Sequence, residues 1–562
     1  MKTCTLVASR LSRWFRPALE IMEDRWCPSV STVFNAQTGV LTVTGNAAAD
    51  TVQVNAAANG DITVDGGTAI SDVKQIVLSL GGGTNNLTVD LSAAPSLNLG
   101  LSVIGGLGAD TVNLNLGTNN AGRVSLFSAL GSGSDTIHVN ATGLSGASDL
   151  HLQLYSGPGN DTVNMNLGGV AANANLNVST DLGSGNDQMT VTAGGIGDGA
   201  NISLNVVGGM FGTDTVAVNL GTVGANASID VRGRLSFFGV NNQFTLNAAG
   251  VGAGTDLGLN LFSGFHNDTV AMSLGAVGDN ASLNVTTNLS SGNDQFTLTT
   301  TSVGAGVNAN VQVLGGFGND TVTVTLNGVG DDSTVRFTSD LGFGNDTLNV
   351  TTASLGAGAT ADLGVTGGFG EDDVTASLGA VGDNGTVRGR FDLGFGNDTL
   401  DVSTTSLGAS GRANVVVSAG QGNDDVTLAL QGAGGAAATR ASVVATVDLG
   451  FGNDLFTLNQ SNLSMLNFLL TLQGGFGNDQ VNLNMNGAVA STADLDFRAN
   501  LGFGNDTITS TFTGSVDSGA ALFMALNGGV GAADQAIYQL ASAIAQIDPS
   551  RLVNFDTLTG LI

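Results

Sequence analysis

The chain is predicted to be all-β, an elongated parallel β-solenoid with about 26 residues per coil, and three observations lead there. The motif Gly-Gly-Phe-Gly-Asn-Asp-Thr-Val, or a close variant, returns about every 26 residues. Between its copies, polar and apolar residues alternate in short runs, the period-2 mark of strands with one buried face. The composition suits turns and packed strands: of 562 residues, 42% are hydrophobic and 11% charged, with 85 glycines and 5 prolines. Such hydrophobicity with so little charge excludes a disordered acidic tail, and no strict Gly-X-Y period is present to suggest collagen.

Residues 1–30 stand apart from the rest. Lys2, Arg10, Arg13, Arg16 and Arg25 concentrate positive charge there, together with both tryptophans, Trp14 and Trp26, and both cysteines, Cys4 and Cys27. The run Leu19-Glu20-Ile21-Met22-Glu23-Asp24-Arg25, within Arg16 to Ser29, resembles the short N-terminal segment of planctomycete extracellular proteins. Their pattern is Leu-Glu-x-Leu-Glu-(Asp/Pro)-Arg, with Met22 here in place of the second Leu. The resemblance implies an export segment. Beyond it, residues 31–104 carry worn repeats such as Asn46-Ala47-Ala48-Ala49-Asp50-Thr51-Val52.

Residues 105–515 form the repeat array. In one unit, Gly315 to Asp320 is a turn, Thr321 to Leu326 an alternating strand, Asn327 to Asp332 a second turn, and Ser333 to Thr338 a second strand. The alternation places Val322, Val324, Leu326, Val335 and Phe337 inside, and Thr321, Thr323 and Arg336 outside. A lone strand pair is not stable, whereas stacked copies bury each other's apolar rows. An antiparallel β meander is the alternative assembly. Motifs opened by Gly-Gly (Gly315, Gly367) interleave with motifs opened by Leu-Gly (Leu341, Leu393), a super-period of 52 residues. Phe317, Phe343, Phe369 and their equivalents lie three residues before the aspartate and are expected to stack along one corner. Residues 516–562 are read as a C-terminal cap, in which Ile537, Leu540, Ile544 and Ile547 follow helical spacing up to Pro549.

The formal charge is −30, and it comes almost wholly from aspartate, a turn residue; glutamate occurs only at Glu20, Glu23 and Glu371. Without a basic stripe the repeat body is not a nucleic-acid binder. It has no cysteine for a disulfide or a thiolate metal site, and no apolar run long enough for a transmembrane segment. The motif aspartates are Asp110, Asp135, Asp161, Asp187, Asp214, Asp268, Asp294, Asp320, Asp346, Asp372, Asp398, Asp424, Asp454, Asp479 and Asp506. Stacked carboxylates about 5 Å apart repel by roughly 1 kcal/mol in water-like surroundings and roughly 3 kcal/mol at an effective dielectric near 20. A bound Ca2+ would reverse that sign. At Asn242 an amide stands where the aspartate is expected, a gap in the acidic file.

The stretch Gly315-Gly316-Phe317-Gly318-Asn319-Asp320-Thr321-Val322-Thr323 is similar to the calcium-binding nonapeptide of the repeats-in-toxin family. The resemblance implies calcium held between stacked turns by the fifteen aspartates and backbone carbonyls. That family strings its nonapeptides back to back, whereas here 17 residues intervene, which puts calcium at the opposite turns, such as Gly328 to Asp332, in doubt. The expected function is therefore a secreted or cell-surface calcium-binding repeat protein with a structural or adhesive role, meeting cell-surface or matrix components. No enzyme is expected. The alternative is a polysaccharide-degrading β-helix enzyme using clustered aspartates with Arg232, Arg234, Arg388 or Arg390. His138, His151 and His266 lack any metal or triad spacing.

Overall fold

A computed structural model describes residues 30–559, except 95, 120–121, 147, 239–240, 433–439, 462–465, 516, 518–519 and 541–551. The proposed export segment thus lies outside the described residues, with Cys4, Cys27, Trp14 and Trp26. The described chain is a parallel β-solenoid. In each coil one strand enters a first sheet and the next enters a second. Thr334–Phe343 pairs in parallel with Thr360–Phe369, and Thr321–Leu326 with Thr347–Leu355, each with its equivalent one coil on. Partners such as Phe343 and Phe369 are 26 residues apart, so one repeat is one coil. The meander alternative is not observed.

The core is the space between the two sheets. Val322, Val324, Leu326, Val335 and Phe337 are buried, Arg336 is exposed, and Thr321 and Thr323 are half-buried between their column neighbours. Packing is complementary along a strand as well. A Cβ on Gly389 would lie 2.5 Å from the Phe391 ring, which fills the volume that a side chain at 389 would take.

The N-terminal end is closed differently. Strand β1 (Ser31–Asn35) pairs antiparallel with β2 (Val40–Thr44), and β4 (Ile62–Val64) antiparallel with β3 (Thr51–Ala56). Among the described strands, antiparallel pairing occurs only at this end, where it covers edges that would otherwise template aggregation. At the other end coils continue beyond residue 515. Ala521–Asn527 pairs with Asp494–Asn500, and Gln535–Leu540 with Thr507–Phe512. Ile537 and Leu540, read from their spacing as helical, are in the strand Gln535–Leu540, where Ala536 and Tyr538 are the buried neighbours of Ile537. Ile544, Ile547 and Pro549 lie outside the described residues. Among the described residues no helix is long and apolar enough to cross a membrane.

An alternation of the same 52-residue period is seen at the second corner. There Asn280 (φ 56°) and Asp332 (φ 54°) take left-handed conformations, alternating with Gly306 (φ 66°) and Gly358 (φ 68°). A Cβ on Gly306 would lie 2.5 Å from Asn280 Oδ1, and one on Gly358 2.3 Å from Asp332 Oδ1. Asn280 and Asp332 each lie over the glycine of the next coil, an alternation that ends at Asn384 (φ 56°) and Ser410 (φ 55°), where adjacent coils both carry a side chain. The preceding position alternates too. Asp331 Oδ1 accepts the N–H of Ala357 at 2.7 Å and Asp383 Oδ1 that of Ala409 at 2.7 Å, so each carboxylate caps a coil that has none there.

Candidate functional site

The motif corner turns on left-handed glycines. Gly316 (φ 110°) and Gly318 (φ 120°) bracket Phe317, and a Cβ on Gly318 would lie 1.7 Å from the Gly292 carbonyl oxygen of the preceding coil. Backbone therefore packs directly on backbone, as only glycine allows. Leaving this turn, the chain resumes strand alternation one residue early. Asp320 turns inward and Asn319 outward, and each builds its own ladder.

The aspartate ladder runs backward. Asp346 Oδ1 accepts the N–H of Asp320 at 2.6 Å, Asp372 that of Asp346 at 2.9 Å, and Asp398 that of Asp372 at 2.8 Å. The same bond joins every neighbouring pair from Asp110 to Asp506. All fifteen predicted aspartates are in this one file, each no more than 2% exposed. The asparagine ladder runs forward on the surface, with Asn319 Oδ1 accepting the N–H of Asn345 at 2.9 Å and Asn293 Oδ1 that of Asn319 at 2.8 Å.

The file is longer than the motif search found. Asp50 and Asn85 extend it toward the N-terminus, and Asp534 and Asp556 toward the C-terminus. Gly528-Gly529-Val530-Gly531 announces Asp534 with one residue inserted. Asn242 does not interrupt the ladder: its Oδ1 accepts the N–H of Asp214 at 2.9 Å, and its own N–H bonds Asp268 at 2.7 Å. It is a gap in charge alone.

The second carboxyl oxygen is the distinctive feature. Among the described residues, Oδ2 of thirteen motif aspartates, from Asp135 to Asp506, is buried without a hydrogen-bond partner. Asn242 reveals what surrounds this position, because its Nδ2 donates to the carbonyls of Ser236 and Ser263 at 3.3 and 3.1 Å. At Asp320 the environment is similar. A Cβ on Gly315 would lie 2.4 Å from the Leu341 carbonyl oxygen and 2.7 Å from Asp320 Oδ2. A carboxylate oxygen set among carbonyls cannot donate to them, whereas a protonated one can. Asp214 differs, since its Oδ2 accepts from Ser236 Oγ at 2.7 Å and from Ser236 N–H at 3.1 Å.

Electrostatics follow from this burial. Desolvation pushes Asp161, Asp187, Asp268, Asp294, Asp320, Asp346, Asp398, Asp424 and Asp454 up from 3.8 to about 7, and Asp135, Asp214, Asp479 and Asp506 to about 6. Asp372 is raised for the same reason. The N–H bond from the preceding rung opposes the shift at Asp320, and the charge of Asp294 reinforces it. Ionising one such carboxyl costs the fold on the order of 4 kcal/mol. A dozen bare charges would together exceed the ~5–15 kcal/mol net stability of a folded domain. Burial therefore favours the protonated carboxyl along the folded file.

A hard cation suits the donors, which are carboxyl and carbonyl oxygens throughout. Among the described residues no group of three or more His, Cys, Asp or Glu side chains forms a metal site. Each coil supplies one carboxyl, so carbonyls would have to complete any coordination sphere. Arg232, Arg234, Arg388 and Arg390 lie on outward positions of the first sheet, Arg232 paired with Asp230 at 3.0 Å. The structure does not bring them to the buried aspartates. His266 (φ 79°) occupies a left-handed turn position that is glycine in other repeats. No family model matches the chain, nor does any curated protein or solved structure.

Proposed function

We propose that this is a secreted or cell-surface β-solenoid of structural or adhesive role, whose buried aspartate file takes up Ca2+. The observation that carries the reading is the row of buried, unpartnered Oδ2 atoms set among backbone carbonyls. Oδ2 of successive aspartates, such as Asp320 and Asp346, would hold the ion together with carbonyls like that of Leu341. The cation would supply charge neutralisation along the stack, doing above pH 7 what protons do below it. The resemblance of Gly315 to Thr323 to the repeats-in-toxin nonapeptide supports calcium. The resemblance of Arg16 to Ser29 to planctomycete export segments supports secretion. A rigid rod of repeated coils suits a scaffold or an adhesin.

Equilibrium dialysis of the full chain against Ca2+ at pH 8, after chelator treatment, tests this reading. Several ions per chain are expected, along with resistance to unfolding that rises with calcium concentration, because a ligand of the folded state alone stabilises it by mass action. Absence of bound calcium would leave the file as a proton-filled hydrogen-bond ladder.

A further inference from the structure

Outside the aspartate corner runs a second file. Phe317, Phe343, Phe369 and Phe395 stack with ring centroids 4.9, 4.8 and 4.7 Å apart and planes within 7°. Gln421 follows in the same register, and then Phe451, Phe476 and Phe503 stack at 4.9 and 4.8 Å. These seven rings are 43–60% exposed, so they pin nothing in the core. The coil does not need an aromatic here, because Ser184, Ser291 and Gln421 fill the same register in well-formed coils.

We infer that this phenylalanine ridge is the interface at which two copies of the chain associate, ridge against ridge. Aromatic side chains carry roughly 150–250 Å² each, so seven half-exposed rings present about 700 Å². That exceeds the roughly 300–600 Å² apolar patch of an ordinary monomer and approaches the ~800 Å² per partner of a stable complex. The ridge is also patterned for self-pairing. It reads nearly the same in both directions from Gln421: Phe395 and Phe451 flank it, then Phe369 and Phe476, then Phe343 and Phe503, and finally Phe317 and Val530. Two ridges aligned at Gln421 set apolar rungs against apolar rungs whichever way the partner runs. In the antiparallel case Phe395 faces the partner's Phe451. The two Gln421 amides then face each other and can exchange hydrogen bonds, since an amide both donates and accepts. A ring edge every 4.7–4.9 Å over so many coils is matched best by a surface of the same period, which a second copy provides. This inference does not rest on the calcium reading.

Sedimentation equilibrium of the full chain tests it, with and without calcium. A dimer is expected at about 100 μM, and Phe369→Ser with Phe476→Ser should weaken dimerisation about 100-fold while leaving the β circular dichroism intact. In a Cys4→Ser, Cys27→Ser background, Gln421→Cys should form an intermolecular disulfide under mild oxidation, and Thr323→Cys, on the second sheet, should not. The cross-link reports on the ridge even if the serine variants fold poorly. A monomeric wild-type chain at that concentration, undiminished dimerisation of folded serine variants, or equal cross-linking at both cysteine positions would overturn the proposal. So would a monomer that sediments with neutral phosphatidylcholine vesicles through the same phenylalanines.

Discussion

Asp346 reaches back a full coil to accept the backbone N–H of Asp320 at 2.6 Å, and in doing so leaves its own Oδ2 buried with no partner. One atom of the carboxyl joins two coils, and the other is buried where desolvation favours its protonated form. Repeated rung after rung, this relationship makes the solenoid a stack whose stability depends on what neutralises its interior.

The first prediction concerns pH. Burial pushes thirteen of the motif aspartates, Asp135, Asp320 and Asp346 among them, up to about 6 to 7 from the ordinary 3.8. The folded chain thus binds more protons than the unfolded chain between those values, and stability falls as pH rises wherever that is so. Their contribution is whole below about pH 4, declines through the window from about 4 to 7, and levels off above it. Urea unfolding of metal-free protein should give a higher midpoint at pH 5 than at pH 8. The usual carboxylate behaviour, in which stability is lost toward acid, would be the reverse.

A second prediction separates the two oxygens of one rung. Asp320→Asn should keep the bond from the Asp294 N–H, as Asn242 does at its rung, and should supply a donor to the neighbouring carbonyls. Metal-free at pH 8, this variant should be more stable than wild type by about 1–3 kcal/mol. Asp320→Ala removes the acceptor and leaves the Asp294 N–H buried and unbonded, and it should lose about 1–3 kcal/mol at pH 5. Denaturant midpoints at the two pH values check both signs.

A third prediction addresses the super-period. Gly306→Ala adds a Cβ 2.5 Å from Asn280 Oδ1 at a φ of 66°. It should destabilise by roughly 1–2 kcal/mol through left-handed strain, with a further penalty for displacing the Asn280 side chain. Combining it with Asn280→Gly should remove that further penalty and leave the strain. Thermal unfolding of the single and double variants measures the coupling.

Much of this architecture was legible in the sequence. The 26-residue period gave one coil per repeat, and the alternation in Thr321 to Leu326 gave the buried face, because both express geometry that side chains must obey. The inward aspartate was legible too: alternation carried back from Val322 puts Thr321 outside, Asp320 inside and Asn319 outside. That inward position is held by the N–H of the preceding coil's aspartate, which finds its acceptor there. The phenylalanines were harder to place, since the left-handed glycines beside Phe317 break the alternation that would have set its side. Ile537 misled because apolar residues there also satisfy helical spacing, and over so short a run the two periods are hard to separate. Asp556 escaped notice because no Gly-Gly-x-Gly run precedes it.

The most direct test of the proposed calcium binding is the melting temperature of the chelator-treated full chain, with and without millimolar Ca2+, at pH 5 and pH 8. At pH 5 protons already occupy the buried carboxyls, and calcium should change little. At pH 8 it should raise the melting temperature by more than about 10 °C, with Mg2+ less effective because it dehydrates reluctantly and demands near-ideal octahedral geometry. An unchanged melting temperature at pH 8, with no metal retained on dialysis, would contradict the account.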